Sequence, residues 1–415
     1  MNYYSILEGL GLKKEQIKRY YQLIEENTIY FEVELIANQR KCPYCHSENA
    51  IIKEYKTKSI KFLSIGKNNT IVDYKLPRYK CKSCLKTYTH NLDNSTDKTI
   101  SNEVIKKLIN EFSDITTFSN IGKRYGISTT KIIEIFDKYC PNLRYKIDEV
   151  LCLDEFSNIR KSNNKYACIL IDFKTHKIID IIQNRTLPYL RQYFSKQPLK
   201  LREKVKYIVT DMYDGYITIA KEYFHNAVIA IDPFHYMSYF TNAIQNIRRR
   251  ILDSGGFFYD KSWISSHWRL LSTNPDNFPK ETMILPSGQS ISYYDRVIKF
   301  VKQNNELAYS FFFLQDFFIT SKNLSFDKAK SFITMVINNM LSSISIELVE
   351  CGKTWFHYKD FIINSFIKYN NFRLSNGHIE GINSRIKTLK KIYCGYRNEL
   401  RFYNRIILII NKKRG

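Results

Sequence analysis

Four cysteines fall in two tight pairs, Cys42-Pro-Tyr-Cys45 and Cys81-Lys-Ser-Cys84, with residues 46–80 between them. A C-x-x-C knuckle aims two thiolates at one centre, and two knuckles together close a tetrahedral four-sulfur site suited to Zn²⁺. Cys42, Cys45, Cys81 and Cys84 leave no open coordination position, so the zinc is read as structural and the nearby His46 and His90 as non-ligands. The gap is long for a minimal ribbon, and alternating runs such as Thr70–Tyr79 supply strands to fill it. Five further cysteines are scattered. An odd total of nine, with no basic segment and apolar run at the start, predicts thiols and metal sites in a reducing compartment.

A second constellation is acidic. Asp154 follows the apolar run Val150–Leu153, and Asp211 closes Tyr207-Ile-Val-Thr. A carboxylate at the end of a buried strand is costly unless it is paired or metal-bound. Two of them on neighbouring strands make a hard-oxygen site for Mg²⁺ or Mn²⁺. Glu380 lies in Ser375-Asn-Gly-His-Ile-Glu-Gly-Ile-Asn-Ser-Arg-Ile-Lys387, which reads as a helix after a glycine-containing turn. Asn383 and Lys387 share its face at i+3 and i+7. Asp232, in Ile231-Asp-Pro-Phe-His235, either caps a strand end or stands behind the metal site. His235 likewise either supports the site or DNA, or is a core histidine. Glu155, next to Asp154, points to the opposite strand face.

The elements that must carry these groups follow from periodicity. Leu7, Leu10 and Leu12, continued by Ile17, Tyr20, Tyr21 and Ile24, have helical spacing; Ile29–Leu35 alternates like a half-buried strand. Residues 91–98 read as a polar linker. Phe118–Phe136 has the layout of helix, tight turn and helix, with Gly126 in the turn, Ser128 or Thr129 as N-cap and Ile132, Ile133 and Phe136 inward. Thr129, Thr130 and Lys131 then face outward, where a recognition helix meets base edges and phosphates. From Val150 five apolar runs, at 150–153, 167–171, 178–182, 207–209 and 228–231, predict strands, with helices at 187–195 and 213–224. Residues 236–370 read as mostly helical, broken near 273–289, and 376–394 as one basic helix.

The fold class is therefore multidomain α+β. Residues 1–95 hold the zinc-ribbon-like module, 96–146 a helix-turn-helix domain, and 147–415 a mixed α/β catalytic domain with a helical insertion at about 240–370. The 415 residues carry 64 Lys+Arg against 40 Asp+Glu, a net charge of +24. Residues 368–415 alone hold 12 basic and two acidic side chains. No run of about 18 apolar residues exists, which excludes a transmembrane helix and leaves nucleic acid as the leading polyanionic partner.

This succession of motifs, ending in Leu153-Asp-Glu-Phe, Val209-Thr-Asp-Met-Tyr, Ile231-Asp-Pro-Phe-His and Asn376-Gly-His-Ile-Glu-Gly-Ile-Asn-Ser-Arg, resembles the DDE transposases of bacterial insertion sequences, the ISL-three family in particular. The resemblance covers about residues 40–410. It implies an RNase H-like catalytic fold whose metal-binding triad is Asp154, Asp211 and Glu380. Asp232, His235 and Asn383 would back the ligands. It further implies Mg²⁺-dependent cleavage at terminal inverted repeats and strand transfer to target DNA. Thr129, Thr130, Lys131, Lys387, Lys390 and Lys391, with Arg397 and Arg401, would touch the DNA. A dimer or larger synaptic assembly in the bacterial cytoplasm, at the nucleoid, is expected. A zinc and helix-turn-helix regulator without catalysis, or another RNase H-like nuclease, are the competing readings.

Overall fold

The computed structural model describes residues 13–37, 41–89, 97, 99–140, 144, 146–159, 162–255, 258–285, 288–392 and 398–412. The N-terminal dozen residues, His90, Cys394, Arg397 and most of the 91–98 linker lie outside that set. By contacts the chain divides into two units, residues 1–143 with 389–413, and residues 144–388 with 414–415.

The first unit is built on a five-stranded sheet: β1 (Ile17–Glu25), β2 (Thr28–Leu35), β3 (Ala50–Ile65), β4 (Asn68–Cys81) and β5 (Thr87–Thr89). Its order is β1-β2-β4-β3 with β5 on β4; only β2 and β4 run parallel. Residues 17–24 are thus a strand, not the helix their spacing suggested. Half of them (Ile17, Tyr20, Tyr21 and Ile24) are β-branched or aromatic, and a tight turn at Glu26-Asn27 folds the strand back on β2 with Glu25 opposite Thr28. The alternation in β2 does bury Phe31 and Val33. The long interval between the cysteine knuckles is one hairpin, β3 and β4, turned at Gly66 with φ +61°.

Among the described residues the same unit also contains the helices Asn102–Glu111, Phe118–Tyr125, Thr129–Tyr139 and Glu399–Lys412. Phe118–Tyr125 ends at Gly126, whose φ of 59° is left-handed, and Ser128 caps the next helix by accepting from the Lys131 backbone N–H. Ile132, Ile135 and Phe136 are buried; Ile133, expected inward, is half-buried because Ile135 takes the place a turn before Tyr139. Phe112 and Phe136 meet edge-on at 5.1 Å between centroids. Into this cluster the last helix inserts Arg405, 1% exposed, whose Nη2 donates to the carbonyls of Asp114 (3.1 Å) and Thr116 (2.9 Å). The guanidinium lies 4.9 Å from the Phe118 ring centre. Arg401 grips both oxygens of Asp137 at 2.8 and 2.6 Å. By contacts this helix groups with the first unit.

The second unit centres on β6 (Val150–Ser157), β7 (Tyr166–Asp172), β8 (Ile178–Ile182), β9 (Tyr207–Thr210) and β10 (Val228–Ile231), in the order β10-β9-β6-β7-β8. β6, β7 and β8 are antiparallel neighbours, whereas β9 is parallel to both β6 and β10. The parallel crossovers are made by helices Leu187–Ser195 and Leu199–Arg202 before β9 and by Asp214–Tyr223 after it. Residues 233–364 are largely helical, with a two-stranded ribbon, Thr282–Ile284 and Ser290–Ser292, inside the polar break. Their core is aromatic: Trp355 is fully buried against Tyr236, Phe240 and Phe317, and its Nε1 donates to the Tyr236 carbonyl. A short hairpin then leads into the helix Gly377–Ile392. No helix among the described residues is long and apolar enough to cross a membrane.

Two glycines separate backbone preference from packing. A Cβ on Gly122 would stand 2.5 Å from the Ile127 carbonyl oxygen, whereas one on Gly381 meets open space. In a helix Ala is preferred over Gly by about 1 kcal/mol, while overpacking costs about 1–3 kcal/mol. Calorimetry should therefore record Gly122→Ala as destabilising by up to about 2 kcal/mol and Gly381→Ala as stabilising by up to about 1 kcal/mol.

Candidate active site and metal centres

The two cysteine knuckles converge. Cys42 Sγ is 3.6 Å from Cys84 Sγ and Cys45 Sγ is 3.6 Å from Cys81 Sγ, and the four sulfurs lie within 4.8 Å of one another. Bonds of about 2.3 Å to a tetrahedral Zn²⁺ require sulfurs about 3.8 Å apart, so the cluster fits that ion. The Cys84 backbone N–H, joined by that of Ser83, pulls the Cys81 thiol down to about 6 against burial, which favours the thiolate a metal needs. His46 sits at the knuckle's turn with φ 62°, its backbone N–H donating to the Cys42 carbonyl, and is not among the clustered ligands.

In the second unit strand register brings the acids together. The parallel pairs Cys152↔Val209 and Thr210↔Ile231 are the last before the acidic positions. Continuing both ladders sets Asp154, Asp211 and Asp232 side by side on three adjacent strands. All three are buried, at 8%, 6% and 3% exposure. Asp154, Asp211 and His235 can bring ligand atoms within 4.8 Å of one another. His235 reaches them from the first turn of the helix Pro233–Asp253, which Asp232 precedes.

The helix carrying Glu380 is tied to these strand ends. Asn376, just before it, donates its backbone N–H to Asp232 Oδ1 (2.6 Å) and its amide to the Leu153 carbonyl (3.1 Å). Asn383 donates to Asp154 Oδ2 at 3.0 Å. Glu380, one turn earlier on that face, is exposed and outside the tight cluster. Its charge nonetheless reaches Asp154 and Asp232. Glu155 turns away and pairs with Arg185. That arginine also lies 4.7 Å from the rings of both Tyr166 and Tyr213.

Burial, and secondarily mutual repulsion, pushes the carboxyls of Asp154 and Asp211 up to about 7 and that of Asp232 to about 6. Arg185 opposes the shift at Asp211. Burial lowers His235, which favours the neutral imidazole with a lone pair to offer. Asp211 Oδ1 and Asn383 Oδ1 are buried and accept no hydrogen bond. Packed carboxylates, a neutral imidazole and an unpartnered buried oxygen are a donor set for a hard divalent cation.

The groups assigned to DNA are distributed over both units. Thr129 and Thr130 are exposed at the start of their helix. Lys131 is half-buried, with Nζ 3.0 Å from Asp97 Oδ2. Lys387 and Lys391 are exposed and Lys390 half-buried, while Arg401 is committed to Asp137. Sequence reasoning passed over Asn376 and Arg185. An amide in the turn before an acid-bearing helix, and a lone arginine just past a buried strand, were the available signals.

Comparison with known proteins gives matches over most of the chain. A family model described as transposase, of the ISL3 type, matches residues 151–406. A second, described as the zinc-finger of transposases IS204/IS1001/IS1096/IS1165, matches residues 38–84. The transposase for insertion sequence element IS1001 of Bordetella parapertussis is 21% identical over 262 residues, covering 62% of this chain and 60% of that protein.

Two outcomes follow from the site's electrostatics. Carboxyls raised in the fold stabilise it below their unfolded values near 4 and cease to do so as pH rises through about 7. Added Mg²⁺ or Mn²⁺ should therefore raise the melting temperature of the second unit little at pH 4–5 and most at pH 8. At a hundredfold excess over Kd the gain is about 2.7 kcal/mol, or roughly 5–10 °C. Cys81→Ser should lose bound zinc by elemental analysis and keep that cation response.

Proposed function

The chain belongs to the ISL3 family of DDE transposases, and from that premise we propose that it cuts and joins DNA at the ends of an insertion sequence. The observation that carries the reading is the parallel register that sets Asp154, Asp211 and Asp232 side by side, with Asn383 of the Glu380 helix on Asp154. We read the second sheet as RNase H-like. Three antiparallel strands followed by two parallel ones, in the order β8-β7-β6-β9-β10, support it. The Gly126 turn between two capped helices supports a helix-turn-helix.

Asp154, Asp211 and Glu380 are assigned the triad. A pair of divalent cations, Mg²⁺ or Mn²⁺, would supply Lewis-acid polarisation of the scissile phosphate and an activated nucleophile at neutral pH. Asn383 orients Asp154 by its amide. Asp232 holds the Asn376 backbone and thereby the start of the helix that bears Glu380. His235 presents a neutral ring to the same cluster. Lys387, Lys390 and Lys391, on the helix of Glu380, neutralise backbone phosphate. Cleavage frees a 3′-hydroxyl, which then attacks target DNA without a covalent protein intermediate.

Terminal-repeat recognition is assigned to the zinc module and to Thr129 and Thr130. Lys131 joins them on releasing Asp97. Joining two ends calls for a dimer or larger assembly, acting in the bacterial cytoplasm. A regulator without catalysis accounts less well for three buried carboxyls with few compensating partners.

Asp154→Asn and Asp211→Asn should each lower Mg²⁺-dependent strand cleavage and end joining by roughly 10²–10³-fold or more, the scale of losing one preorganised electrostatic group. Binding to inverted-repeat DNA should be unchanged. Undiminished joining in either variant refutes the triad, and cleavage without joining in the unaltered protein points to a nuclease instead.

A further inference from the structure

A cavity of about 590 Å³ in the second unit has no part in the chemistry above. Its walls come from the turn after β7 (Phe173, Lys174, His176), from the hairpin before the Glu380 helix (Tyr369, Phe372) and from the first turn of that helix (His378). The walls are ring systems. His176 and His378 stack at 4.0 Å and 17°, and Phe173 meets His378 edge-on at 5.7 Å and Tyr369 at 6.2 Å. Asn370 and Asn371, at φ 50° and 69°, turn the hairpin so tightly that Phe372 projects with 70% of its surface exposed. Lys174 adds positive charge, while Arg373 is held by the carbonyls of Ser365 and Ser321; no acid is among the described lining residues, although Tyr369 Oη donates to Glu149 Oε2 at 2.7 Å.

Its position relative to the acids is set by three residues of chain. Ser375 and His378 line the cavity and bracket Asn376, which bonds Asp232 and the Leu153 carbonyl. His378 and Glu380 flank buried Ile379 on the first turn of one helix, about 3 Å apart along its axis and on nearly opposite faces of it. The cavity thus opens beside the turn that carries the third acid.

An exposed aromatic face, a stacked ring pair and a lysine at the rim match a nucleobase and its phosphate better than an apolar ligand or a cation. The volume lies within the range of small-molecule sites, about 300–1,000 Å³. We propose that this cavity holds one unpaired nucleotide of the DNA strand next to the scissile phosphate, its base stacked on Phe372 and the phosphate facing Lys174. The inference rests on the DNA-cleaving reading. It adds that the strand must be locally unpaired to occupy the site.

The test compares two labelled duplexes by fluorescence anisotropy on the full-length protein, one blunt and one with a thymine-only 3′ overhang. The unaltered protein should prefer the overhang by about 5- to 150-fold, the scale of one stacked base. Phe372→Ala should abolish that preference and leave blunt-duplex binding as it was, since the ring is exposed and its loss leaves the core intact. Phe372→Trp should keep it. Equal binding of both duplexes by the unaltered protein, or a preference that survives Phe372→Ala, overturns the cavity assignment while leaving DNA binding standing. Binding of neither duplex at low salt overturns the DNA reading and this inference together.

Discussion

Three carboxyls are kept out of water side by side, and the second unit is arranged around that burden. Ionised, they repel one another across adjacent strands in a medium that screens poorly; protonated, they cannot hold a cation. The protein offsets only part of the cost. Asp154 takes the Asn383 amide, Asp232 takes the Asn376 N–H, and Asp211 has Arg185 at a distance and one oxygen with nothing on it. The remainder is an affinity for positive charge stored in the fold. The same hydrogen bonds fix the entry of the Glu380 helix, so what relieves two of the acids also positions the next.

The zinc module meets a different constraint with a similar device. Its sheet has a small core of its own, and the four sulfurs join the base of the β3–β4 hairpin, where Cys81 is the last residue of β4 and Cys42 and Cys45 precede β3. A closed four-thiolate site contributes folding energy outright, and the long hairpin extends its rigidity away from the metal.

Much of this layout was legible because its signals are local. A knuckle needs four consecutive residues, and a buried strand is a short apolar run; the runs at 150–153, 167–171, 178–182, 207–209 and 228–231 lie on the five strands of the second sheet. Legibility failed where a remote partner decided. Residues 17–24 became a strand because β2 was there to pair with them, overriding their spacing. Lys131 meets Asp97, thirty-four residues away, and Arg401 meets Asp137 across most of the chain, so cations counted for DNA are engaged within the protein. Asp232 read equally well as a cap, since only the register of β9 and β10 reveals that it stands next to Asp211.

The chain leaves the first unit after residue 143 and rejoins it at residue 389, inside the helix that carries the third acid in its first turn. A ribosome making this protein therefore finishes the acid-bearing sheet before the helical cluster of the N-terminal half is complete. That cluster waits for Arg405, whose guanidinium closes the loop at Asp114 and Thr116. Nascent chains and C-terminally shortened products that lack residue 405 share a defect: the helical cluster of the first unit is left without the side chain that ties the carbonyls of Asp114 and Thr116.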